Sequence, residues 1–125
     1  MSEANSSVPA ETLSPTDCKG LADTLASVGD KWTIMVVGAL SKGQLRYNEI
    51  QRRVSGISQR MLTLTLKRLE ADGIVTRTLF PSVPPRVDYE LTELGQTLRA
   101  ALVPLHLWAA RNRQIISENR AKFGR

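Results

Sequence analysis

Leucines recur at helical spacing between residues 57 and 75, and most of the positions between them are polar. Leu62, Leu66 and Leu69 follow one another at i, i+4 and i+7, so a helix would place them on one face that needs a core. The opposite face of this helix would carry long polar donors: Gln59, Arg60, Thr63 and Lys67. Such donors suit base edges and phosphates in a DNA major groove, whereas the simpler alternative is a face exposed only to water.

The ends of this helix are marked by residues that favour helix termini. Ser58 can accept a hydrogen bond from a free amide of the first turn, and Gly73 can adopt the left-handed conformation that ends many helices. The helix is therefore predicted over about 58–72. A shorter helix is predicted before it, opened by Asn48 with Gln51 three residues later. Two helices joined by a short turn that contains glycine are typical of a helix-turn-helix.

Two further helices are predicted upstream of this unit. Residues 1–15 have little apolar content and two prolines, which predicts a disordered arm. A first helix is expected from Thr16 or Asp17, both competent caps, to Gly29. Asp30 then caps a second helix that is apolar nearly all round, which predicts the central buried helix of the domain.

Downstream of the helix-turn-helix, two runs of alternating residues predict a β-hairpin. Residues 75–80 and 86–91 have the period of strands, and the proline-rich segment 81–85 can continue neither of them. Residues 44–46 suggest one more short strand. A helix-turn-helix followed by a hairpin is a winged helix, so we predict a mainly α fold with a small β-wing at about 75–91.

A last helix is predicted at about 92–120, capped by Thr92 and kinked at Pro104. Its apolar stripe consists of Leu98, Leu102, Leu105, Trp108 and Ile115. The elements before this stripe already suffice to form the core of the domain, so a second copy of the same helix is the simplest surface to bury it. The alternative is that the helix folds back onto its own core.

Composition agrees with a single domain, predicted over 16–125. The chain has 125 residues, of which 42% are apolar, and a net charge of +5. Between residues 42 and 86 there are nine Lys or Arg and three Asp or Glu, a local balance of 9 − 3 = +6. The positive charge therefore lies around the candidate DNA-binding helix, as expected of a nucleic-acid footprint.

Other classes of protein find little support in the sequence. The N-terminal residues lack the pattern of a signal peptide, and no apolar run is long enough to span a membrane. One cysteine and one histidine provide neither an internal disulfide, nor a metal site, nor a nucleophile–base pair, and no glycine motif predicts a phosphate-binding loop. We therefore expect a cytoplasmic, nucleoid-associated protein that is not an enzyme and has no cofactor.

Several segments form an ordered set along the chain: Cys18, 28–33, 46–50, 56–63, 69–75 and 84–92. Together they resemble the HxlR-type winged-helix transcriptional regulators of bacteria, in the MarR-like superfamily, over roughly residues 18–108. The resemblance implies a homodimer that binds an inverted-repeat operator and represses or activates nearby genes. It also implies that the first and last helices form the dimer interface, which adds Leu21 and Leu25 to the residues of the last helix.

Within this fold, the first turn of the recognition helix enters the major groove most deeply. Arg60 can bind guanine, and Gln59 can bind adenine, each with two hydrogen bonds. Thr63 and Lys67, one and two turns later, are expected to contact backbone or thymine methyl groups. Ser58 is primarily a cap that can also contact a phosphate. Leu64 lies near the DNA-facing side of this helix. Either it contacts a thymine methyl group, or the predicted rotation of the helix about its axis is wrong by one residue.

The remaining candidate DNA contacts flank this helix. Arg46, Arg52 and Arg53 are expected to bind phosphates, unless they are merely solvated. Arg86 is placed to enter a minor groove from the wing or to bind the phosphates beside it. The alternative for Arg86 is a salt bridge to Asp88 or Glu90.

In several members of the family, the cysteine at the position of Cys18 senses electrophiles or oxidants. Near the start of a helix, free amides and the helix dipole favour a thiolate, which can be alkylated, capped by a small thiol, or oxidised to a disulfide with another chain. The alternative is a small buried hydrophobe. The prediction is thus a regulator that binds double-stranded DNA and responds to an electrophile or a small-molecule inducer, and its rival is a winged-helix protein-interaction module without DNA specificity.

Overall fold

A computed structural model of the protein describes residues 14–124, apart from the side chain of Ser27, and shows helices around a small sheet. The helices of this part are α1 (Pro15–Val28), α2 (Lys31–Ala39), α3 (Tyr47–Arg53), α4 (Gln59–Ala71) and α5 (Glu93–Phe123). The strands are β1 (Leu45–Arg46), β2 (Val75–Phe80) and β3 (Arg86–Leu91). The predicted N-terminal arm lies, as far as residue 13, outside the described residues.

Helix α1 begins earlier than the sequence predicted. Ser14 is its N-cap: the Ser14 hydroxyl accepts from the amide of Asp17 at 3.2 Å, and the Asp17 carboxylate accepts from the amide of Ser14 at 3.3 Å. The prediction of a cap at Thr16 or Asp17 was therefore wrong. Pro15 occupies the first helical position, where the backbone angle of proline is already set for a helix.

The start of helix α3 was also predicted wrongly. The sequence suggested that the Gln51 side chain would accept from the backbone N–H of Asn48. Instead, the Glu49 carboxylate accepts from the backbone N–H of Arg46 at 2.9 Å. The helix consequently begins at Tyr47, two residues earlier than a cap at Asn48 would place its start. A charged acceptor makes the stronger bond to a free amide, which favours Glu49 in this role.

Both ends of helix α4 are as predicted. The Ser58 hydroxyl accepts from the amide of Met61 at 3.0 Å. At the other end Gly73 has a φ of 77°, and the amide of Ile74 donates to the carbonyl of Leu69 at 2.8 Å. This left-handed glycine with a 6→1 bond is a Schellman motif, and it directs the chain straight into the wing.

The three strands form one antiparallel sheet in the order β1-β3-β2. In the hairpin, Val75 lies opposite Leu91 and Phe80 lies opposite Arg86, so β2 and β3 pair along their full length. Strand β1 adds to the other edge of β3, with Leu45 opposite Tyr89. The helix pair α3–α4 followed by this hairpin is the predicted winged helix-turn-helix.

The core lies between α2, α3, α4 and the sheet. Its buried apolar residues are Val36, Val37, Leu40, Leu45, Ile50, Val54, Ile57, Leu62, Leu66, Leu69, Ile74, Val75, Tyr89 and Leu91. All three leucines of the predicted stripe belong to it. The inner side of α2 lies in the centre of the core, as predicted, whereas Ile34 on its outer side is exposed.

The predicted dimer residues fall into two groups. Leu98 and Leu102, near the start of α5, are half-buried against the domain's own core. The other predicted members are about half exposed, and they are Leu21, Leu25, Leu105, Trp108 and Ile115. The core thus covers Leu98 and Leu102 of α5, while Leu21 and Leu25 of α1 and the three predicted residues of the second half of α5 remain uncovered in the single chain.

Helix α5 continues through Pro104 to Phe123, and the kink expected at the proline stays a prediction. Within residues 14–124, no helix combines the length and the hydropathy needed to cross a bilayer.

Candidate nucleic-acid interface

The outer face of α4 is set by the burial of its inner face. Because successive residues turn by about 100°, the direction opposite the buried stripe passes through Arg60, Leu64 and Lys67, which are also spaced i, i+4 and i+7. All three side chains are exposed, as are those of Gln59 and Thr63. The five side chains form the outer face of α4, and four of them are the donors predicted from the sequence.

The first turn of α4 is held by its cap. The Ser58 hydroxyl is occupied by the amide of Met61, so the role that the structure gives Ser58 is that of an N-cap. Gln59 and Arg60 follow at the first two helical positions, exposed and next to the positive end of the helix dipole. An anionic phosphate would be favoured at this end of the helix.

Tyr47 connects α3 to α4 and was not among the predicted site residues. Its hydroxyl lies 2.8 Å from the carbonyl oxygen of Gln59 and 2.9 Å from the Thr63 hydroxyl. A carbonyl can only accept, so the Tyr47 O–H donates to Gln59 and the Thr63 hydroxyl donates to Tyr47. The Thr63 side chain is thereby fixed against α3. No spacing rule would have shown this contact, which joins residues 12 and 16 positions apart.

Tyr47→Phe is expected to lower the free energy of unfolding by about 1 kcal/mol, because the hydroxyl has two hydrogen bonds to lose. Urea denaturation checks this value. The matched control is Tyr89→Phe, since the Tyr89 hydroxyl makes no hydrogen bond to the described residues, and its effect should be smaller. Equal losses in the two variants would show that the Tyr47 hydroxyl does not support α4.

A second contact fixes α4 against α2. The Arg68 guanidinium donates to the Asp30 carboxylate at 3.0 Å, and the same carboxylate accepts from the amide and hydroxyl of Thr33 at 3.0 and 2.9 Å. Partial burial alone would raise the pKa of Asp30, but the hydrogen bonds from Thr33 and the charge of Arg68 outweigh it and lower that pKa. The orientation of α4 is therefore set from both neighbouring helices.

The predicted phosphate-binding arginines lie at the two ends of α3. Arg46 is the N-cap residue of α3, and Arg52 and Arg53 lie in its last turn; all three are exposed. Arg46 also lines an open cleft of about 590 Å³ between the start of α3 and the loop of the wing. The DNA contacts of these three arginines stay predictions.

Arg86 makes the salt bridge that the sequence offered as an alternative. Its Nε and Nη2 donate to the two carboxylate oxygens of Asp88 at 3.0 and 2.8 Å, and the guanidinium lies 4.8 Å from the centre of the Phe80 ring. These hydrogen bonds lower the pKa of Asp88 and raise that of Arg86. Asp88 is buried, so part of the Arg86 charge is already neutralised within the wing.

Cys18 lies at the end of the first turn of α1. Its amide donates to the carbonyl of Ser14 at 2.8 Å, and its side chain is exposed. The alternative of a small buried hydrophobe does not apply to this position in the single chain.

Comparison with known proteins agrees with the fold. Residues 27–117 match the HxlR-like helix-turn-helix family. The HTH-type transcriptional regulator YybR of Bacillus subtilis is 42% identical over 98 residues, which are 78% of this chain and 78% of YybR.

Two proteins of known structure have the same architecture. The transcriptional regulator ytfH of Salmonella typhimurium superposes with a TM-score of 0.74 at 32% identity, over 81% of this chain and 90% of the other. The redox regulator HypR in its reduced form gives 0.74 at 40% identity, over 79% and 98% of the two chains. Its oxidised form gives 0.69 at 42% identity, over 74% and 96%.

Proposed function

The chain belongs to the HxlR-like helix-turn-helix family of transcriptional regulators, and we propose that it acts as a homodimer on a specific inverted-repeat DNA operator. The family is one of regulators, which are generally not enzymes. The proposal places the protein in the cytoplasm, on the nucleoid, with double-stranded DNA as its partner.

The observation that carries this proposal is the outer face of α4. A buried leucine stripe, a serine cap and contacts from two neighbouring helices hold the helix in place, so the outward direction of Arg60 and Lys67 is fixed before DNA arrives. A helix that is already held in place loses little backbone conformational entropy on binding. Gln59 and Arg60, at the exposed N-terminal turn, are the proposed base contacts.

Phosphate contacts are proposed to fix the register of the helix in the groove. Arg46, Arg52 and Arg53 are exposed at the two ends of α3, and Lys67 is exposed on the outer face of α4 two turns after Arg60. Contacts of this kind give affinity that falls steeply with salt and does not depend on sequence. Arg86 is proposed to contact the backbone beside the wing through the guanidinium nitrogen that Asp88 leaves available.

The homodimer is proposed on the apolar side chains that the single chain leaves uncovered. Leu105, Trp108 and Ile115 on α5, with Leu21 and Leu25 on α1, are about half exposed. A second copy would bury them and would place two recognition helices about a two-fold axis. The half-sites should then lie about one helical turn, or a multiple of it, apart.

Arg60→Ala is expected to cost about 1–3 kcal/mol of binding free energy on the preferred operator and to relax specificity at one base position. Anisotropy titrations on operator and scrambled duplexes measure both effects. Arg111→Ala, which removes an exposed arginine of α5, serves as the matched control for the loss of one charge. An equal loss on scrambled DNA would reduce Arg60 to a phosphate contact. If the parent protein shows only weak binding that ignores sequence and vanishes with salt, the rival function of a protein-interaction module is favoured.

We further propose that Cys18 makes DNA binding responsive to an oxidant or electrophile. Its exposure on α1, within the proposed dimer interface, and the likeness to the redox regulator HypR support this proposal. Alkylation, or a disulfide between the two Cys18 thiols of a dimer with loss of two protons and two electrons to the oxidant, would alter the placement of the two recognition helices. A small-molecule inducer near the same helices would act in the same way.

Treatment with a quinone or hypochlorite is expected to change operator affinity of the parent protein and to leave that of Cys18→Ser unchanged. Titration of operator DNA before and after treatment measures the change, and reduction with dithiothreitol should reverse a disulfide but not an alkylation. If the serine variant responds as the parent does, the thiol has no sensing role.

A further inference from the structure

Leu64 occupies an unusual place for a leucine, the middle of the outer face of α4. It is 49% exposed, while the leucines of the same helix at 62, 66 and 69 are 0–2% exposed. Arg60 lies one turn before it and Lys67 one turn after it on the same stripe. If this face meets DNA as proposed, the side chain between these two cations cannot avoid the groove.

The neighbouring side chains leave Leu64 as the apolar group of that stripe. Thr63 also carries a methyl group, but its hydroxyl is bonded to Tyr47 at 2.9 Å, which holds the side chain toward α3. Met61 is half-buried and packs against the core. Leu64 therefore faces outward and is not a core residue, so the predicted rotation of α4 about its axis is not wrong by one residue.

Bringing Leu64 into the major groove removes its side chain from water. The major-groove edges of guanine, cytosine and adenine carry no methyl group, so little apolar contact would replace the displaced water there, and polar base atoms would lose hydrogen bonds to it. Thymine differs, because its C5-methyl group is the apolar feature of the major-groove edge of a base pair. A leucine next to this methyl group loses contact with water and gains a dispersion contact.

We propose that Leu64 is a specificity-determining residue that selects thymine in each half-site through its C5-methyl group. This inference rests on the proposed function, because it requires the outer face of α4 to lie in the groove. The selected thymine is within one or two base pairs of the base that Arg60 contacts, since one helical turn separates the two side chains.

Replacing thymine by deoxyuridine tests the inference, because this removes the methyl group and keeps base pairing and every hydrogen-bonding atom. Each thymine pair related by the two-fold axis of the operator is replaced in turn, and the affinity of the parent protein is measured. At one such pair the affinity should fall about three- to fivefold per half-site, the factor expected for one buried methyl group. Leu64→Ala should be insensitive to the loss of this methyl group and should bind the thymine and uracil operators equally. Leu64→Met, which keeps an apolar side chain of similar volume, should retain it.

The possible failures are distinguishable. A parent protein that does not prefer the operator over scrambled DNA overturns the proposed function, and the role of Leu64 falls with it. A parent protein that prefers the operator but is indifferent to uracil at every position overturns the role of Leu64 alone. Equal sensitivity to uracil in the parent and in Leu64→Ala assigns the methyl contact to another residue and also overturns the inference.

Discussion

Leu62→Ala is expected to lower the free energy of unfolding by about 2–5 kcal/mol, whereas Leu64→Ala should leave it within about 0.5 kcal/mol. The two leucines are two positions apart on α4 and have identical helix propensity. Leu62 is 0% exposed in the core, so alanine there leaves a cavity in addition to losing the transfer free energy. Leu64 is 49% exposed on the outer face, so its truncation leaves none.

Urea denaturation of the two variants and the parent measures this difference. The order of the two variants should be reversed for DNA binding. Leu64→Ala changes the operator affinity of the folded protein, whereas Leu62→Ala lowers DNA binding only by reducing the fraction of protein that is folded. Similar losses of stability in both variants would show that α4 is rotated from the setting described, and the outer face would have to be assigned to other side chains.

Gly95→Ala is expected to lower the free energy of unfolding by about 1–3 kcal/mol, against the usual direction for this substitution. In a helix, alanine normally stabilises over glycine by about 0.5–1 kcal/mol. Gly95 lies in the first turn of α5, where an added Cβ would collide with the carbonyl oxygen of Ile74 and lie 3.1 Å from Leu91. Because the obstacle is backbone, a side-chain movement cannot relieve it.

The close approach at Gly95 exists because α5 starts on the residues that directly follow α4. The Thr92 hydroxyl accepts from the amide of Gly95 at 3.0 Å and lies 2.6 Å from the carbonyl oxygen of Gly73, while the amide of Thr92 donates to the carbonyl of Ile74 at 2.9 Å. The α4 terminus, the start of the wing and the start of α5 are therefore locked together. Displacing one of them should disturb the others.

Gly38→Ala is the matched control, since this glycine lies inside α2 and a Cβ there meets nothing within 4 Å. It should be neutral or stabilising by up to about 1 kcal/mol. Thermal or urea unfolding of both variants gives the comparison. A Gly95→Ala protein as stable as the parent would show that α5 does not pack this closely on the end of α4.

The parts of the fold that follow from local spacing could be predicted from the sequence. The leucine stripe of α4, its Ser58 cap and Gly73 stop, and the hairpin over 75–91 each depend on residues close together in the chain. Even there, competing local signals decided the ends of α1 and α3. Pro15 and Glu49 prevailed over the caps that the sequence had suggested.

The contacts that orient the site could not be predicted, because they join residues distant in sequence. Arg68 and Asp30 are 38 positions apart, and the Tyr47 hydroxyl crosses to Thr63 on another helix. Periodicity shows which side of a helix is apolar, but it does not show which polar side chain meets which. The pairing of Arg86 with Asp88, two residues along the same strand, could be offered only as one of two possibilities.

Selection of tight binders from random duplex DNA, with reduced protein at about 150 mM salt, would show whether the outer face of α4 recognises sequence. We predict an enriched inverted repeat whose half-sites are about one helical turn, or a multiple of it, apart. Loss of that enrichment in Arg60→Ala would assign the recognition to α4. Well-folded dimeric protein that enriches no motif, and whose DNA binding depends on salt alone, would contradict the assignment of this chain as a sequence-specific DNA-binding regulator.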